Sequence, residues 1–314
     1  MPPKLKILIS IDFDAISGWL GTGASPENNL SDYSSGFFAG RVGVPRLLKL
    51  FKRLGIADKV SWFIPGQSAE TFPAETRAII ESGAEIGLHG YCHEDCGKLT
   101  ERQERDVMVR CMELFEGLTG KRPRGYRAPL YTLRGHTIKL LEEFGFLYDS
   151  SLAMHDSKFC SLPKGGGTPI VPPEYTPQAK AADWMKPLPQ VNDPPGTVVE
   201  IPGNWYTEDM TPMQFWPHTA NSHGYVPASA VEAMWTERLE FLLREVDEED
   251  SEGGEDAITV FPLILHPDTS GNAHVLPMIE RFLRMVLAKG EKVEFVTFGD
   301  CAEDWKRRQT EGRS

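Results

Sequence analysis

Two acidic residues follow an apolar run near the start of the chain. The segment Lys6 to Ile11 is typical of a β-strand, and Asp12-Phe13-Asp14 comes directly after it. Side chains alternate along a strand, so Asp12 and Asp14 share a face while Phe13 points to the other. Two carboxylates this close need a metal ion, an arginine or a shared proton. A solvated pair of loop carboxylates, or a helix cap, is the alternative for this segment alone.

Two histidines spaced four residues apart follow another short strand. His89 and His93 come directly after the strand-like segment 85–88, so their imidazoles can converge on one ion. Inert, hydrogen-bonded histidines are the alternative for the pair by itself. With one of the two aspartates, they make a three-ligand metal site that leaves a position for water and a second carboxylate free to act as base. Cys92, His93 and Cys96 are a competing zinc set, but a structural zinc needs four ligands.

Two further polar residues lie at predicted strand ends. His266 follows the apolar segment 261–265 and is well placed to protonate a leaving amine, although a surface histidine beside a proline is the alternative. Arg127 lies in the short strand-like segment 125–128, and beside the aspartate pair it would keep Asp12 ionised. A surface ion pair or a phosphate contact is the alternative for this arginine.

A mixed acidic and aromatic segment follows residue 202. Asp209 could orient Arg127, and Glu208 could do the same, so the sequence leaves both open. Four aromatic side chains nearby either wall a pocket or pack in the core. They are Trp205, Tyr206, Phe215 and Trp216.

Apolar strands alternate with amphipathic helices along most of the chain, and this alternation would position the polar residues. Residues 44–54 have apolar side chains at helical spacing, and Thr100 with Gln103 forms a capping box that opens a helix through residue 118. Seven or eight βα units in series favour a parallel sheet closed by helices. In such folds the chemistry lies at the carboxyl ends of the strands, where the polar residues above are found.

Two stretches interrupt this alternation. Residues 158–196 are rich in Pro and Gly and have no clear period, and they are long for a plain connection, so we expect a lid or a subunit contact. Residues 247–256 are acidic, which is typical of a solvated surface loop. The chain has no internal repeat, and we expect residues 1–314 to form a single catalytic domain.

Composition excludes several classes of protein. The chain has 314 residues and a formal net charge of −12, from 33 Lys and Arg against 45 Asp and Glu. Nucleic acids and anionic membranes are disfavoured as partners, because both need a basic face. No apolar run approaches the ~20 residues of a membrane span, and no signal-peptide core precedes Asp12. The five cysteines follow no pattern, as in proteins with reduced thiols. We therefore expect a cytoplasmic protein.

These segments, in this order, resemble the polysaccharide deacetylase (NodB-homology) superfamily. The resemblance runs from Ile7 to about Trp305 and rests on five motifs. They are Asp12-Phe-Asp14, His89-Gly-Tyr-Cys-His93, Arg127-Ala-Pro129, the Trp205–Asp209 segment and Leu265-His266-Pro267. Asp12-Phe13-Asp14 followed by Gly18-Trp19-Leu20, with no export signal, resembles the intracellular branch of the superfamily. That branch contains peptidoglycan deacetylase-like proteins, cyclic imide hydrolases and allantoinases. Some of its members are oligomers, so a homo-oligomer is among our expectations.

The resemblance implies a distorted, incomplete (β/α)7 barrel and a role for each motif residue. Asp14, His89 and His93 would bind a divalent metal, usually zinc. Asp12 would be the base, tuned by Arg127, which Asp209 would support, and His266 would be the acid. The family usually has Tyr directly after the Pro of its third motif, whereas here Leu130 intervenes before Tyr131. The Leu130 amide is our candidate oxyanion donor, and Tyr131 and Trp205 are candidate substrate contacts.

We therefore expect a metal-dependent hydrolase of a non-peptide carbon–nitrogen bond. Its substrate would be a small amide or imide, or an N-acetylated amino sugar. One alternative is a non-haem iron oxygenase, because two His and one carboxylate also form the facial triad of those enzymes. The other is a catalytically inactive barrel that serves as a binding module.

Overall fold

The computed structural model describes residues 4–203, 205–218, 224, 226–251 and 258–311. Within these ranges, nine strands form one sheet. They are β1 (Leu5–Asp12), β2 (Val60–Ile64), β3 (Glu85–Leu88), β4 (Gly125–Tyr126), β5 (Tyr148–Asp149), β6 (Cys160–Pro163), β7 (Pro195–Glu200), β8 (Val260–Leu265) and β9 (Val293–Phe295).

Twelve α-helices connect and cover these strands in the same ranges. They are α1 (Ser17–Thr22), α2 (Leu30–Phe38), α3 (Val44–Leu54), α4 (Gly66–Thr71), α5 (Pro73–Glu81), α6 (Glu101–Thr119), α7 (Gly135–Glu143), α8 (Met210–Met213), α9 (Ala228–Ser251), α10 (Pro267–Ser270), α11 (Leu276–Leu287) and α12 (Phe298–Glu311). The predicted helix over 44–54 and the capping box before α6 are confirmed. None of the described helices combines the length and apolarity needed to cross a bilayer.

The sheet is a parallel array that curves without closing. Its strand order is β6-β7-β5-β4-β3-β2-β1-β8, with β9 also paired to β1. The seven strands β1–β5, β7 and β8 run parallel, as the predicted incomplete (β/α)7 barrel requires. Among the described residues, β7 and β8 do not pair with each other. Isolated bridges, Lys158 with Thr259 and Glu208 with Ile264, lie in this gap.

The two faces of β1 explain how the fold combines a core with a polar site. Ile7, Ile9 and Ile11 belong to the main apolar cluster that joins the sheet to the helices, whereas Leu8 belongs to a second cluster with Phe63 and Phe298. Ser10 and Asp12 share the face of Leu8 because side chains alternate. The interior face of this strand therefore changes from apolar to charged toward its carboxyl end.

The long insertion does not lie where a lid would be needed. In β6, Cys160 pairs with Glu200 and Pro163 with Pro195, so the strand runs antiparallel to β7. The chain therefore travels from the carboxyl edge of the sheet to its amino edge, and residues 164–194 leave the sheet there. None of the described residues of the 158–196 segment lines the cavity at the carboxyl edge. These residues therefore do not form the expected lid, because β6 pairs with β7 and directs the chain away from the cavity. The alternative, a subunit contact, stays a prediction.

The acidic stretch 247–256 begins as helix and not as loop. Helix α9 continues through Ser251, while residues 252–257 lie outside the described residues. The buried side chains of Trp235, Leu239 and Val246 keep helical spacing on one face of α9, and Asp247 and Glu248 are exposed. Asp247 forms a 2.9 Å ion pair with Lys292.

Candidate active site

The strand ends meet at one small cavity, as predicted. Asp12 is the last residue of β1, and His89 and His266 directly follow β3 and β8. The cavity has a volume of about 70 Å³. It is lined by Asp12, Asp14, His89, His93, Ala128, Leu130, Tyr131, Trp205, Glu208, Met210 and His266. Parallel strands bring residues together here that are more than 250 positions apart in sequence.

Asp14, His89 and His93 form the group that could hold a metal ion. Their side chains are buried, and their candidate ligand atoms all lie within 4.8 Å of one another. The Nε2 atoms of His89 and His93 are each 3.4 Å from an oxygen of Asp14. Ligand atoms around a tetrahedral zinc with bonds of about 2 Å lie about 3.3 Å apart. The spacing therefore fits a divalent ion between these three side chains.

The protonation and hydrogen bonding of these residues also suit a metal. His89 donates from Nδ1 to the Arg127 carbonyl at 2.8 Å, which turns Nε2 toward the carboxylates. Burial lowers the pKa of His89, but Asp12 and Asp14 outweigh it and raise the pKa, so a bound ion would displace a proton from Nε2. Burial lowers the pKa of His93 to about 4, so this imidazole is neutral near pH 7. Burial raises the pKa of Asp14, but the nearby histidines outweigh it and hold the pKa below its ordinary value. Among the described residues, the buried Asp14 Oδ1 has no hydrogen-bond partner.

The competing cysteine set does not converge. The Cys92 thiol contacts the side-chain oxygen of Gln67 at 3.2 Å. The buried Cys96 thiol instead lies 3.7 Å from the Tyr126 hydroxyl. The metal-ligating group found in the described part of the chain contains neither cysteine.

Arg127 holds Asp12 in place from the interior of the barrel. Its guanidinium donates to Asp12 Oδ1 at 2.6 Å and to the Ser10 hydroxyl at 2.9 Å. It also donates to the Ser150 carbonyl at 2.9 Å and to the Ser150 hydroxyl at 3.0 Å, and it lies 4.1 Å above the Phe63 ring. Four hydrogen bonds and the ring contact therefore hold the fully buried cation. The free oxygen of Asp12 lies 3.8 Å from Nε2 of both His89 and His266.

Asp209 contacts His266 and not Arg127, which corrects the expected contact. Its Oδ1 accepts from His266 Nδ1 at 2.8 Å, its Oδ2 accepts from the His266 amide at 3.0 Å, and Ser270 donates to the same oxygen. The reason is local pairing, because the Asp209 amide donates to Ile264 of the strand that ends before His266. Glu208, the other candidate partner of Arg127, contacts Tyr131 at 2.7 Å.

The contact with Asp209 sets the protonation of His266. Burial lowers its pKa, but the hydrogen bond to Asp209 and the surrounding carboxylates outweigh it and raise the pKa well above its usual range. Its Nε2 points toward the cavity, 3.9 Å from Asp14 Oδ2. The imidazole is therefore held by its far nitrogen, with its other nitrogen free to carry a proton to a reacting group.

The turn after Arg127 has an unusual backbone. Leu130 and Tyr131 both have positive φ, at 56° and 55°. Two consecutive non-glycine residues in this region carry strain, which persists where the surroundings hold it and is common at functional sites. The Leu130 amide has no hydrogen-bond acceptor among the described residues, and Leu130 lines the cavity.

Of the four aromatic residues predicted to wall a pocket or pack in the core, only Trp205 lines the cavity, and none is fully buried. Trp205 lines the cavity, is 54% exposed and packs edge-on against Tyr131 with ring centres 5.5 Å apart. Tyr206 and Phe215 are also exposed. Trp216 packs on Trp19, with ring centres 4.0 Å apart.

Several supporting residues were not identified from the sequence. Ser10 could have been found, because it lies two residues before Asp12 and therefore on the same face of β1. Ser150 and Ser270 carry no such signal, because each meets its partner only through the packing of distant strands.

Two buried acidic residues lie side by side on neighbouring strands, away from the candidate metal ligands. Asp149 and Glu200 are direct neighbours on β5 and β7, and both are almost fully buried. Ser151 donates its hydroxyl to Asp149 at 2.9 Å and its amide to Glu200 at 3.1 Å. Burial raises the pKa of Asp149 to about 6, and burial and the charge of Asp149 raise that of Glu200 well above its usual range. The folded protein therefore retains protons that the unfolded chain releases.

We expect Glu200→Gln to make stability less sensitive to pH. Because the folded-state pKa values are raised, the contribution of the wild-type pair is largest below about pH 4 and is lost as the pH rises toward and past 6. The slope is about 1.4 kcal/mol per pH unit for each retained proton. A glutamine side chain can donate its amide N–H to Asp149 at any pH, so this contact needs no titratable proton. Urea unfolding at pH 5 and pH 8 should show a smaller decrease for the variant than for wild type or the exposed control Glu113→Gln. Equal decreases in the free energy of unfolding for all three proteins would show that Asp149 and Glu200 retain no proton in the folded state.

Comparison with known proteins assigns this fold and site to a class. The sequence model described as polysaccharide deacetylase matches residues 34–148. Relatives match over nearly the whole chain, and the protein belongs to the polysaccharide deacetylase family, whose members are hydrolases of amide carbon–nitrogen bonds. The predicted family resemblance is confirmed. The iron oxygenase alternative has no support from these relatives.

Two relatives are particularly similar. The peptidoglycan deacetylase-like protein FGM2 of Gibberella zeae is 55% identical over 302 residues, covering 96% of this chain and 86% of that protein. The peptidoglycan deacetylase of Helicobacter pylori is 38% identical over 308 residues, covering 98% of each chain.

Solved structures support the fold. A candidate polysaccharide deacetylase of Mycobacterium smegmatis superposes with a TM-score of 0.76 at 26% identity, covering 98% of this chain and 92% of the other. Puue allantoinase superposes with a TM-score of 0.71 at 23% identity, covering 96% and 90%. The second likeness concerns the fold alone, because the two sequences have diverged too far to share a substrate by inference.

Proposed function

We propose that this protein is a zinc-dependent deacetylase of N-acetylated amino sugars. The observation that carries the proposal is the buried group of Asp14, His89 and His93, with Asp12 and His266 beside it at 3.8 to 3.9 Å. Two neutral imidazoles and one carboxylate are a donor set that zinc favours in catalytic sites. When bound there, the ion would polarise a carbonyl and lower the pKa of water.

The residues of the chain supply the proton transfers. Asp12, oriented by the guanidinium of Arg127, would accept a proton from the attacking water. His266, oriented by Asp209, would protonate the departing nitrogen. The Leu130 amide would donate a hydrogen bond to the oxyanion, a contribution of roughly 10²–10³-fold in such sites. The proposed base and acid both line the cavity, with Asp12 Oδ2 3.8 Å from His266 Nε2.

The cavity is small, at about 70 Å³, and two of the side chains that line it are well exposed. The acyl group of the substrate would enter this cavity. The remainder of the substrate would lie outside, against Leu130 and Trp205, which are 40% and 54% exposed. This arrangement and the names of the two relatives favour an amino sugar over a small imide.

We also propose that the protein works in the cytoplasm. Its five cysteines are all unpaired, and three of them are buried. Unpaired thiols are typical of reducing compartments.

The proposal is tested by offering both substrate classes to the zinc-loaded protein. N-acetylglucosamine oligomers and peptidoglycan fragments should release acetate and expose free amines, while succinimide and hydantoin should remain intact. Hydrolysis of the imides without acetate release would overturn the proposed substrate. Bound zinc with no turnover of any of these compounds would favour an inactive binding module.

A further inference from the structure

We infer that Glu208 is a positioning residue, which through the Tyr131 hydroxyl holds the strained turn that presents the Leu130 amide to the cavity. The inference rests on the proposed function for its kinetic consequences, but the contact itself can be tested without turnover. Glu208 has no part in the proton transfers described above, and its contact is with Tyr131 and not with Arg127, the partner expected from the sequence.

The turn has little support from its own backbone. Tyr131 donates its amide to the Ala128 carbonyl at 2.9 Å, and Thr132 donates to Pro129 at 3.1 Å. These two bonds close a single tight turn in which Leu130 and Tyr131 both have positive φ. Such a conformation costs on the order of 1–3 kcal/mol for each residue and persists only when the surroundings hold it.

The side chain of Tyr131 supplies that hold from the opposite wall of the cavity. Its hydroxyl donates to Glu208 Oε2 at 2.7 Å, and its ring packs against Trp205. Both contacts join the turn after β4 to the segment 205–209, which is bridged to β8 at the end of the sheet. We call these two contacts of Tyr131 the tether.

Glu208 is itself rigidly placed. It is 5% exposed, and its other carboxylate oxygen accepts from the hydroxyl of Thr211 and from the Thr211 amide at 3.3 Å. Its backbone pairs with Ile264 of β8, two residues before His266. The same strand end thus positions the proposed acid directly and the oxyanion turn through Tyr131.

This placement predicts how the tether acts in the reaction. An oxyanion donor binds the transition state more strongly than the substrate, so a displaced Leu130 amide should lower kcat and leave KM nearly unchanged. The hydrogen bond and the ring contact of Tyr131 go to Glu208 and Trp205 and not to the three candidate metal ligands, so zinc content should not change.

The test uses Tyr131→Phe, Glu208→Ala, Glu208→Gln and the double variant Tyr131→Phe/Glu208→Ala. Tyr33→Phe is the matched control, because it removes another tyrosine hydroxyl, one that donates to Asn28 at 2.8 Å on the exposed surface. We expect kcat for N-acetylglucosamine oligomers to fall about tenfold in Tyr131→Phe and Glu208→Ala. This is less than the ~10²–10³-fold that complete loss of an oxyanion donor costs, because the amide is displaced and not removed. The double variant should be no slower than the slower single variant. Glu208→Gln should retain most activity, because its amide oxygen still accepts from Tyr131.

Hydrogen exchange of the 128–132 segment gives a readout that does not depend on turnover. Exchange should become faster in Tyr131→Phe and Glu208→Ala and remain as in wild type in Tyr33→Phe. Unchanged exchange in both variants would overturn the inference, as would fully additive losses of kcat in the double variant. If the wild-type protein hydrolyses none of the substrates, the proposed function fails, while the exchange result still decides whether Glu208 holds the turn.

Discussion

Replacing Asp12 by asparagine is expected to reduce kcat about 10²–10⁴-fold, the usual contribution of a positioned general base. Asparagine has nearly the same shape as aspartate and keeps an oxygen that can accept from Arg127. In the wild-type protein, Arg127 Nη1 lies 2.6 Å from Asp12 Oδ1. It cannot accept a proton from water. Asp14, His89 and His93 are unchanged, so the variant should bind as much zinc as wild type.

Steady-state kinetics and elemental analysis on the same preparations check this expectation. The exposed variant Asp58→Asn is the matched control and should retain full activity, because Asp58 lies at the surface beside Lys59. Wild-type turnover in Asp12→Asn at equal zinc content would remove Asp12 from the role of base. Loss of zinc in Asp12→Asn would instead make it a ligand.

Replacing His89 by alanine should abolish both metal binding and turnover. The substitution removes one of three ligands and the hydrogen bond to the Arg127 carbonyl. Lewis-acid polarisation contributes several kcal/mol to transition-state stabilisation, and about 1.4 kcal/mol corresponds to tenfold in rate. We therefore expect kcat/KM to fall by at least about 10³-fold, with zinc content close to zero.

Thermal stability gives an independent measure of the same loss. A ligand that binds only the folded state at 100 times its dissociation constant stabilises it by about 2.7 kcal/mol. Added zinc should therefore raise the Tm of wild type and of the control His274→Ala, which changes an exposed histidine, and should leave the Tm of His89→Ala unchanged. A zinc-dependent Tm shift of wild-type size in His89→Ala would place the metal elsewhere.

Much of the candidate site could be predicted because the fold is a parallel sheet. Polar residues directly after apolar strands must come together at one edge, whatever the lengths of the helices between them. Asp12, His89 and His266 were found by this rule, and each lies at the cavity. The insertion was predicted to be a lid or a subunit contact from its composition and its length. Neither property carries information on the direction in which a strand such as β6 runs.

The amino-acid sequence by itself determined the order of strands and helices and the set of side chains available for chemistry, since both depend on local periodicity and on residue type. The tertiary structure decided which of those side chains contact one another. Asp209 reaches His266 because its segment pairs with β8, and Arg127 is held by Ser150 because β4 lies beside β5. Such contacts depend on which strands become neighbours across a curved sheet, and that arrangement minimises the free energy of the whole chain and leaves no mark on any short segment of it.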